Sequence, residues 1–255
     1  MAMMTRQEAA QRIYVALDVP KIELAAEAVD ELGNRVGGYK IGLELGTSKG
    51  WSTVHNALTA QVQVSVFGDI KIKDIPKTAG RTAAALIRGN PGFTFFNVHA
   101  DGGEAMIQAA REQSEAVAVS EGRQRPKLLA VTVLTSLDES DLSKQGIAGS
   151  TADQVIRLGK LAISAGADGL VCSAREVMLL RQAIGPEPIL MVPGLRLPGS
   201  STRDQKRVME PGELVRIDPK ALLVIGSDIM DKSPGQRLAA LERVIDNIIF
   251  GIQPE

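Results

Sequence analysis

The stretch LLAVTVL, Leu128 to Leu134, is apolar apart from one threonine and lacks the alternation of a half-exposed strand. Continuous apolar character indicates a strand buried on both faces, as in a parallel sheet covered by helices. Segments with helical periodicity, such as Ile22 to Leu32, separate this run from others of the same kind. The other runs are Ile13 to Leu17, Tyr39 to Leu43, Val62 to Phe67, Phe93 to Val98, Gly169 to Cys172, Ile189 to Val192 and Leu222 to Ile225. The sequence therefore predicts eight alternating βα units.

Such alternation leaves a closed barrel or a doubly wound open sheet. No GxGxxG motif follows the first strand, which disfavours a dinucleotide-binding open sheet. Polar or special residues stand at or near the strand ends, and they meet on one rim only if the strands close into a barrel. These residues are Asp18, Lys40, Asp69, His99, Thr135, Ser173, Pro193-Gly194 and Gly226-Ser227. We expect residues 1–255 to form one TIM (β/α)8 barrel domain, with 1–11 as a flexible or short helical N-terminal extension.

The composition excludes several classes of function. The formal net charge of -1 provides no broad basic surface, so nucleic acid is not an expected partner. One cysteine and two histidines cannot build a His/Cys zinc cage, and the single cysteine suits a reducing compartment. We recognise no signal peptide and no apolar run long enough to span a membrane. A cytoplasmic protein without a membrane partner is the expectation.

The segment DIKIKDIP, residues 69–76, carries unusual charge for the end of a buried strand. Buried ions are costly unless they are paired. If the strand continues, alternation places Asp69, Lys71 and Lys73 on one side. Lys40 from the neighbouring strand would reach the same space, and Asp74 would complete an array of alternating sign. Such a network can repel one part of a substrate and donate a proton to another part without a metal.

The chain resembles the orotidine 5'-phosphate decarboxylase family over essentially its whole length. DIKIKDIP is similar to the family signature DxKxxDIPxT, which is highly specific. Supporting stretches are VALD at 15–18, YKIGLE at 39–44, NVHADGG at 97–103, AVTVLTSLDESDL at 130–142, GLVCSAREV at 169–177 and PGLRLPG at 193–199. The resemblance implies a β/α barrel that forms a homodimer and uses no metal or organic cofactor. Its substrate would be a small nucleotide.

The resemblance also implies roles for the charged residues. Lys71 would be the general acid that protonates C6 of the pyrimidine as carbon dioxide leaves. Asp69 would lie against the substrate carboxylate, and Lys40 would bond to Asp69 and the ribose. Asp74 would enter the active site of the partner subunit.

Further substrate contacts follow from the same resemblance. Asp18 would bind ribose hydroxyls, Thr135 would face the pyrimidine, and Thr78, the threonine of the signature, would bind substrate. The phosphate would be held by residues near the last two strands, namely Arg196, Gln205, Gly226 and Ser227.

The sequence departs from the family pattern at the end of the eighth strand. The family usually has Gly-Arg there, with the arginine bidentate to phosphate, whereas this chain has Gly226-Ser227-Asp228. A hydrogen bond to a charged group contributes about 1.5 to 3 kcal/mol, so its loss would weaken transition-state binding about ten- to a hundred-fold without compensation. We expect Arg196, Gln205 and backbone amides to keep the phosphate, at a raised KM.

Three smaller departures concern charge. Lys73 stands where many bacterial members have His, Lys77 where the signature usually has Asn, and Asp101 where many relatives have Ser. Two alternative functions stay open at this point. One is a related Mg²⁺-dependent phosphosugar decarboxylase, and the other is a nucleotide-binding homologue whose catalysis is impaired by Ser227.

Overall fold

The chain closes into a barrel of eight parallel strands in sequential order, β1 to β8. The computed structural model describes residues 4–60, 62–90, 92–200 and 209–251. The strands are β1 (Ile13–Ala16), β2 (Gly38–Ile41), β3 (Val66–Ile72), β4 (Phe93–His99), β5 (Lys127–Val131), β6 (Gly169–Val171), β7 (Ile189–Val192) and β8 (Leu222–Ile225). Because β8 pairs with β1 in parallel, no sheet edge is left open. The predicted TIM (β/α)8 barrel is confirmed.

Helices connect the strands and surround the barrel. They are α1 (Arg6–Ala10), α2 (Ile22–Leu32), α3 (Leu43–Lys49), α4 (Trp51–Thr59), α5 (Pro76–Gly89), α6 (Glu104–Ser120), α7 (Glu139–Lys144), α8 (Thr151–Ser164), α9 (Val177–Ile184), α10 (Pro211–Ile217), α11 (Ser227–Met230) and α12 (Arg237–Phe250). Two 3-10 turns follow β4 and β6, at Ala100–Gly102 and Ala174–Glu176. In the described part of the chain, no helix has the length and apolar character needed to cross a membrane.

Helix α1 lies in the segment expected as an N-terminal extension. Thr5 caps it, and its side chain and Glu8 form a reciprocal capping box. Arg6 forms ion pairs with Glu242 and Asp246 on α12, and the last two residues of α1 are buried. These contacts fix α1 against the last helix of the barrel.

The barrel interior is filled by a small apolar cluster separate from the larger core between strands and helices. Aromatic rings dominate it: Phe95 packs edge-on against Tyr14, with ring centroids 5.6 Å apart, and against Phe67 at 6.3 Å. The other members are Ala16, Leu129, Val131, Val171, Met191 and Val224. This cluster fills the barrel, so that the interior is a packed core and not a pore. It also forms an apolar floor below the carboxyl ends of the strands.

Strand β3 differs from the prediction. The sequence placed it at Val62 to Phe67, whereas it runs from Val66 to Ile72 and so includes the charged residues. The register against β4 shifts between Gly68 and Ile72, which marks a bulge. The strand continues through the charged residues because ion pairing offsets the free-energy cost of burying their side chains.

Candidate active site

A cavity of about 420 Å³ opens at the carboxyl ends of the strands, a size suited to a small ligand. Part of its floor comes from the apolar interior cluster, through Ala16, Phe67, Val131, Val171 and Val224. Of the residues predicted for the site, those that line it are Asp18, Lys40, Asp69, Lys71, Thr135, Arg196, Gly226 and Ser227. The rim thus brings together residues that lie up to 209 positions apart in the sequence.

Four of these side chains form a continuous chain of ion pairs with alternating sign. Lys71 Nζ lies 2.6 Å from Asp69 Oδ1, and Lys40 Nζ lies 3.2 Å from Asp69 Oδ2. Lys40 Nζ also donates to Asp18 Oδ1 at 2.9 Å. Each interior member therefore contacts two partners of opposite charge.

Burial and pairing oppose each other in setting the pKa values of this cluster. Burial alone raises the pKa of the Asp69 carboxyl, but the two ammonium groups and the hydrogen bond from Asn97 outweigh it, and the pKa falls from 3.8 to about 2. Burial alone lowers the pKa of Lys40, yet Asp69 and Asp18 outweigh it and raise that pKa. Asp69 and Lys40 are therefore both charged at neutral pH.

Gly42 allows Asp18 and Lys40 to meet. A Cβ atom at this position would lie 2.4 Å from Asp18 Oδ1 and 3.2 Å from Lys40 Nζ. Glycine is required here for close approach, because any side chain would displace the carboxylate.

Asn97 belongs to the site, although sequence reasoning assigned it no role. Its side chain is fully buried on β4, where it donates to Asp69 Oδ1 at 2.7 Å and accepts from the Lys71 backbone N–H at 2.7 Å. The available signal was a polar residue inside the predicted strand Phe93 to Val98, since a buried amide requires partners.

Asp74 and Thr78 lie beside the ion-paired cluster in sequence but are exposed in the single chain. The Asp74 carboxylate accepts from the N–H of Ile75 at 2.7 Å. Ile75 is 65% exposed, and Pro76 begins helix α5. With its isoleucine and carboxylate both exposed, this segment is accessible for contact with another protein surface.

Arg196, which follows β7, and Gly226 and Ser227, which follow β8, all line the cavity. The carboxylate of Asp228 accepts from the Leu197 N–H at 2.9 Å, so it fastens the segment after β7. Asp231 also lines the cavity. Gln205 lies outside the described residues.

Lys73 and Asp101, two of the departures from the family pattern, pair with each other. Lys73 Nζ lies 2.6 Å from Asp101 Oδ2, and both side chains are about half exposed. Lys73 does not join the cluster of Asp69 and Lys71 as strict alternation predicted, because β3 is bulged and ends at Ile72. His99 Nδ1 is 3.9 Å from Asp101 Oδ1, and burial holds the pKa of His99 below its usual value.

The arrangement suits chemistry at a carbon atom that becomes negatively charged. The Lys71 ammonium is fixed by Asp69 at a cavity with an apolar floor, where a cation stabilises developing negative charge more strongly than it does in water. The adjacent Asp69 carboxylate would repel an anionic group placed beside it. Asp69 can thus destabilise an anionic substituent of a bound ligand, while Lys71 supplies a proton to the carbon from which that substituent departs.

The chain is similar to proteins of known activity over most of its length. Residues 11–243 match the family model described as "Orotidine 5'-phosphate decarboxylase / HUMPS family". A protein from Gluconobacter oxydans named orotidine 5'-phosphate decarboxylase is 46% identical over 79% of this chain and 83% of its own length. One from Rhodospirillum rubrum with the same name is 40% identical over 96% and 97%.

A solved structure shares the fold and much of the sequence. The crystal structure of orotidine 5'-phosphate decarboxylase from Lactobacillus acidophilus superposes with a TM-score of 0.78 at 34% identity, covering 92% of this chain and 98% of that chain. The similarity therefore extends over the whole barrel.

Proposed function

We propose that the linked residues Asp18, Lys40, Asp69 and Lys71 form the catalytic core of this chain, which belongs to the orotidine 5'-phosphate decarboxylase / HUMPS family. Its reaction is the decarboxylation of orotidine 5'-phosphate to UMP, a step of pyrimidine biosynthesis. Relatives that match most of the chain are named orotidine 5'-phosphate decarboxylase. Neither the Mg²⁺-dependent phosphosugar decarboxylase nor the impaired nucleotide-binding homologue is supported.

The observation that carries the assignment of roles is the 2.6 Å pair between Lys71 and Asp69 at the cavity. The bond between C6 and the carboxylate breaks, its electron pair stays on C6, and carbon dioxide leaves. Lys71 Nζ then transfers a proton to C6 to give UMP, and the neutral amine regains a proton from solvent. Asp69 lies beside the departing carboxylate, while Lys40 holds Asp69 and contacts the ribose.

Magnitudes indicate which of these effects dominates. Two like unit charges about 4 Å apart repel by roughly 4 kcal/mol at an effective dielectric constant of about 20. Enzymatic accelerations at the upper end of the typical range require about 23 kcal/mol. Repulsion by Asp69 therefore supplies a minor part, and stabilisation of the C6 carbanion by the Lys71 ammonium in a closed, dry site supplies most of the effect.

The remaining cavity residues bind the rest of the nucleotide in this proposal. Asp18 binds the ribose hydroxyls, and Thr135 faces the pyrimidine. Arg196, with Gln205 and the Gly226 amide, holds the phosphate, while Ser227 offers a hydroxyl in place of a guanidinium. Support comes from the cavity lining, which includes Arg196, Gly226 and Ser227 from the segments after the neighbouring strands β7 and β8.

The active site is completed by a second copy of the chain in this proposal. In a homodimer, Asp74 would enter the partner's cavity and Thr78 would bind the substrate there or at its edge. The exposure of both residues, next to the exposed Ile75, supports a surface that is covered on association. We place the enzyme in the cytoplasm, because a chain with one cysteine has no internal disulfide to protect and a soluble nucleotide is its substrate.

The direct test is a spectrophotometric assay of orotidine 5'-phosphate loss by the purified full chain, with and without EDTA. The proposal predicts turnover to UMP that EDTA does not change. Turnover that EDTA abolishes and Mg²⁺ restores would contradict a cofactor-independent mechanism. UMP binding without turnover would support an impaired homologue instead.

A further inference from the structure

The bulge in β3 places one residue of β4 opposite the catalytic pair. Gly68 pairs with Phe96 and Ile72 pairs with Val98, so three residues of β3 (69–71) lie opposite a single residue of β4, Asn97. Backbone groups in such a bulge lack their usual ladder partners. Here a side chain takes the place of one of those partners.

The backbone of Lys71 is in a costly conformation. Its φ is 56°, and among the described residues it is the one non-glycine residue with positive φ. The left-handed region is unfavourable for an ordinary residue, so it persists only where surrounding contacts impose it. The Lys71 N–H donates to Asn97 Oδ1 at 2.7 Å.

The Asn97 amide also binds the Asp69 carboxylate, which in turn binds the Lys71 ammonium. Asn97 Nδ2 donates to Asp69 Oδ1 at 2.7 Å, and this oxygen also accepts from Lys71 Nζ at 2.6 Å. The orientation of the amide is determined by its partners, because a backbone N–H can only donate and a carboxylate can only accept. Asn97 thus forms a closed ring of hydrogen bonds with both ends of the catalytic pair.

From this geometry we infer that Asn97 is a positioning residue for the decarboxylation: its amide fixes the Lys71 backbone and the Asp69 carboxylate relative to each other, and so aims the Lys71 ammonium at the substrate. Asn97 is fully buried below the residues that line the cavity, so it acts through its neighbours. The inference rests on the proposed roles of Asp69 and Lys71.

The sharpest variant is Asn97→Asp, which is nearly isosteric. The introduced carboxylate accepts from the Lys71 N–H but repels Asp69, and only its protonated form can donate to Asp69 as the amide does. The titratable groups around this position are Asp69 and Lys71 on β3, Lys40 on β2, which pairs with Asp69, and His99 two residues further along β4. Burial and the Asp69 charge would raise the pKa of the introduced group.

We expect Asn97→Asp to lower kcat at neutral pH about ten- to a hundred-fold, the effect of losing a hydrogen bond to a charged group. KM should stay within about threefold, since Asn97 touches neither ribose nor phosphate in the proposed mode of binding. The ratio of variant kcat to wild-type kcat should rise as the pH falls, because protonation restores the donor. A merely structural role would not produce this pH dependence.

Asn90→Asp is the matched control. Asn90 is also a buried asparagine, donates to the Leu86 carbonyl at the end of α5, and lies outside the site. It reports the loss of thermal stability that a buried carboxylate causes without a change at the catalytic pair. Should Asn97→Asp fail to fold, Asn97→Ser carries the test, because a hydroxyl cannot reach both partners; kcat should fall about tenfold at unchanged KM.

The outcomes separate this inference from the proposed function. A wild type without turnover contradicts the proposed function, and this inference with it. A wild type that turns over, while the Asn97 variants keep wild-type kcat or match Asn90→Asp in kcat and pH profile, contradicts the role of Asn97 alone.

Discussion

Lys71 Nζ lies 2.6 Å from the Asp69 carboxylate, and the two residues stand two positions apart on the same strand. A regular strand would also place both side chains on one face. The bulge and the positive φ of Lys71 alter that local geometry, and the ammonium ends up bonded to the carboxylate at the cavity. This one contact links the stability of the site to its chemistry.

The stability of the fold should depend on Asp69 in acid. The folded-state pKa of Asp69 is about 2, below the ordinary 3.8, so its ionisation stabilises the fold above about pH 4. That contribution is lost as the pH falls through about 2 and is on the order of 2 kcal/mol. The free energy of unfolding, measured by urea titration at fixed protein concentration, should fall more steeply between pH 4 and 2 in the wild type than in Asp69→Asn. Equal slopes for the two proteins would contradict the pairing.

Restoring the family arginine should improve the phosphate site. Ser227 and Arg196 both line the cavity, and a guanidinium at position 227 can bind phosphate with two hydrogen bonds. We expect Ser227→Arg to raise kcat/KM for orotidine 5'-phosphate about ten- to a hundred-fold. Ser233→Arg, at an exposed position after α11, adds the same charge away from the cavity and controls for general attraction of the substrate. An increase in kcat/KM no larger than that of the control would show that the phosphate site does not need the arginine.

The proposed sharing of the active site can be tested with mixed dimers. Lys71→Ala and Asp74→Asn each inactivate the enzyme if both residues are catalytic. In a hybrid dimer, one cavity carries both defects and the other is intact, provided that Asp74 acts across the interface. Random mixing of the two inactive variants should therefore restore about a quarter of wild-type activity. Absence of recovery, with hybrid dimers demonstrated by affinity tags, would place Asp74 in its own subunit's site.

Lys73 and Asp101 should be coupled in function. Asp101→Ser leaves the Lys73 ammonium without its 2.6 Å partner, near His99 and the catalytic pair. We expect each single change, Lys73→His or Asp101→Ser, to lower kcat/KM by a few-fold, and the double change to be less damaging than their sum. Because both groups are about half exposed, the coupling energy should be below about 1 kcal/mol. Strict additivity in the double-mutant cycle would contradict this.

The architecture could be predicted from the sequence because strand periodicity and the polar strand ends are local signals. All eight strands occur where apolar runs predict them, with β3 displaced towards its charged residues. That displacement was not predictable from hydropathy, since it depends on ion pairs with Lys40, which comes from another strand. Burial of charge is favourable only once those long-range partners are in place.

The predicted site residues followed from the family resemblance, and so did the bond between Lys40 and Asp69, whereas other contacts at the site did not. The link between Asp18 and Lys40 requires the close approach at Gly42, and the role of Asn97 requires the bulge in β3. The pairing of Lys73 with Asp101 joins two departures 28 positions apart that the sequence presents as unrelated. Such relationships depend on register and backbone conformation, which a sequence pattern does not specify.

In the proposed mechanism, the Lys71 ammonium performs the chemistry. Lys71→Ala, assayed for orotidine 5'-phosphate loss beside the wild type and the exposed control Lys160→Ala, tests it most directly. We predict that kcat/KM falls about 10⁴-fold or more in Lys71→Ala, since both a general acid and a fixed cation are removed, and that the control stays within about twofold. A folded Lys71→Ala that keeps kcat/KM within about tenfold of the wild type would contradict the account.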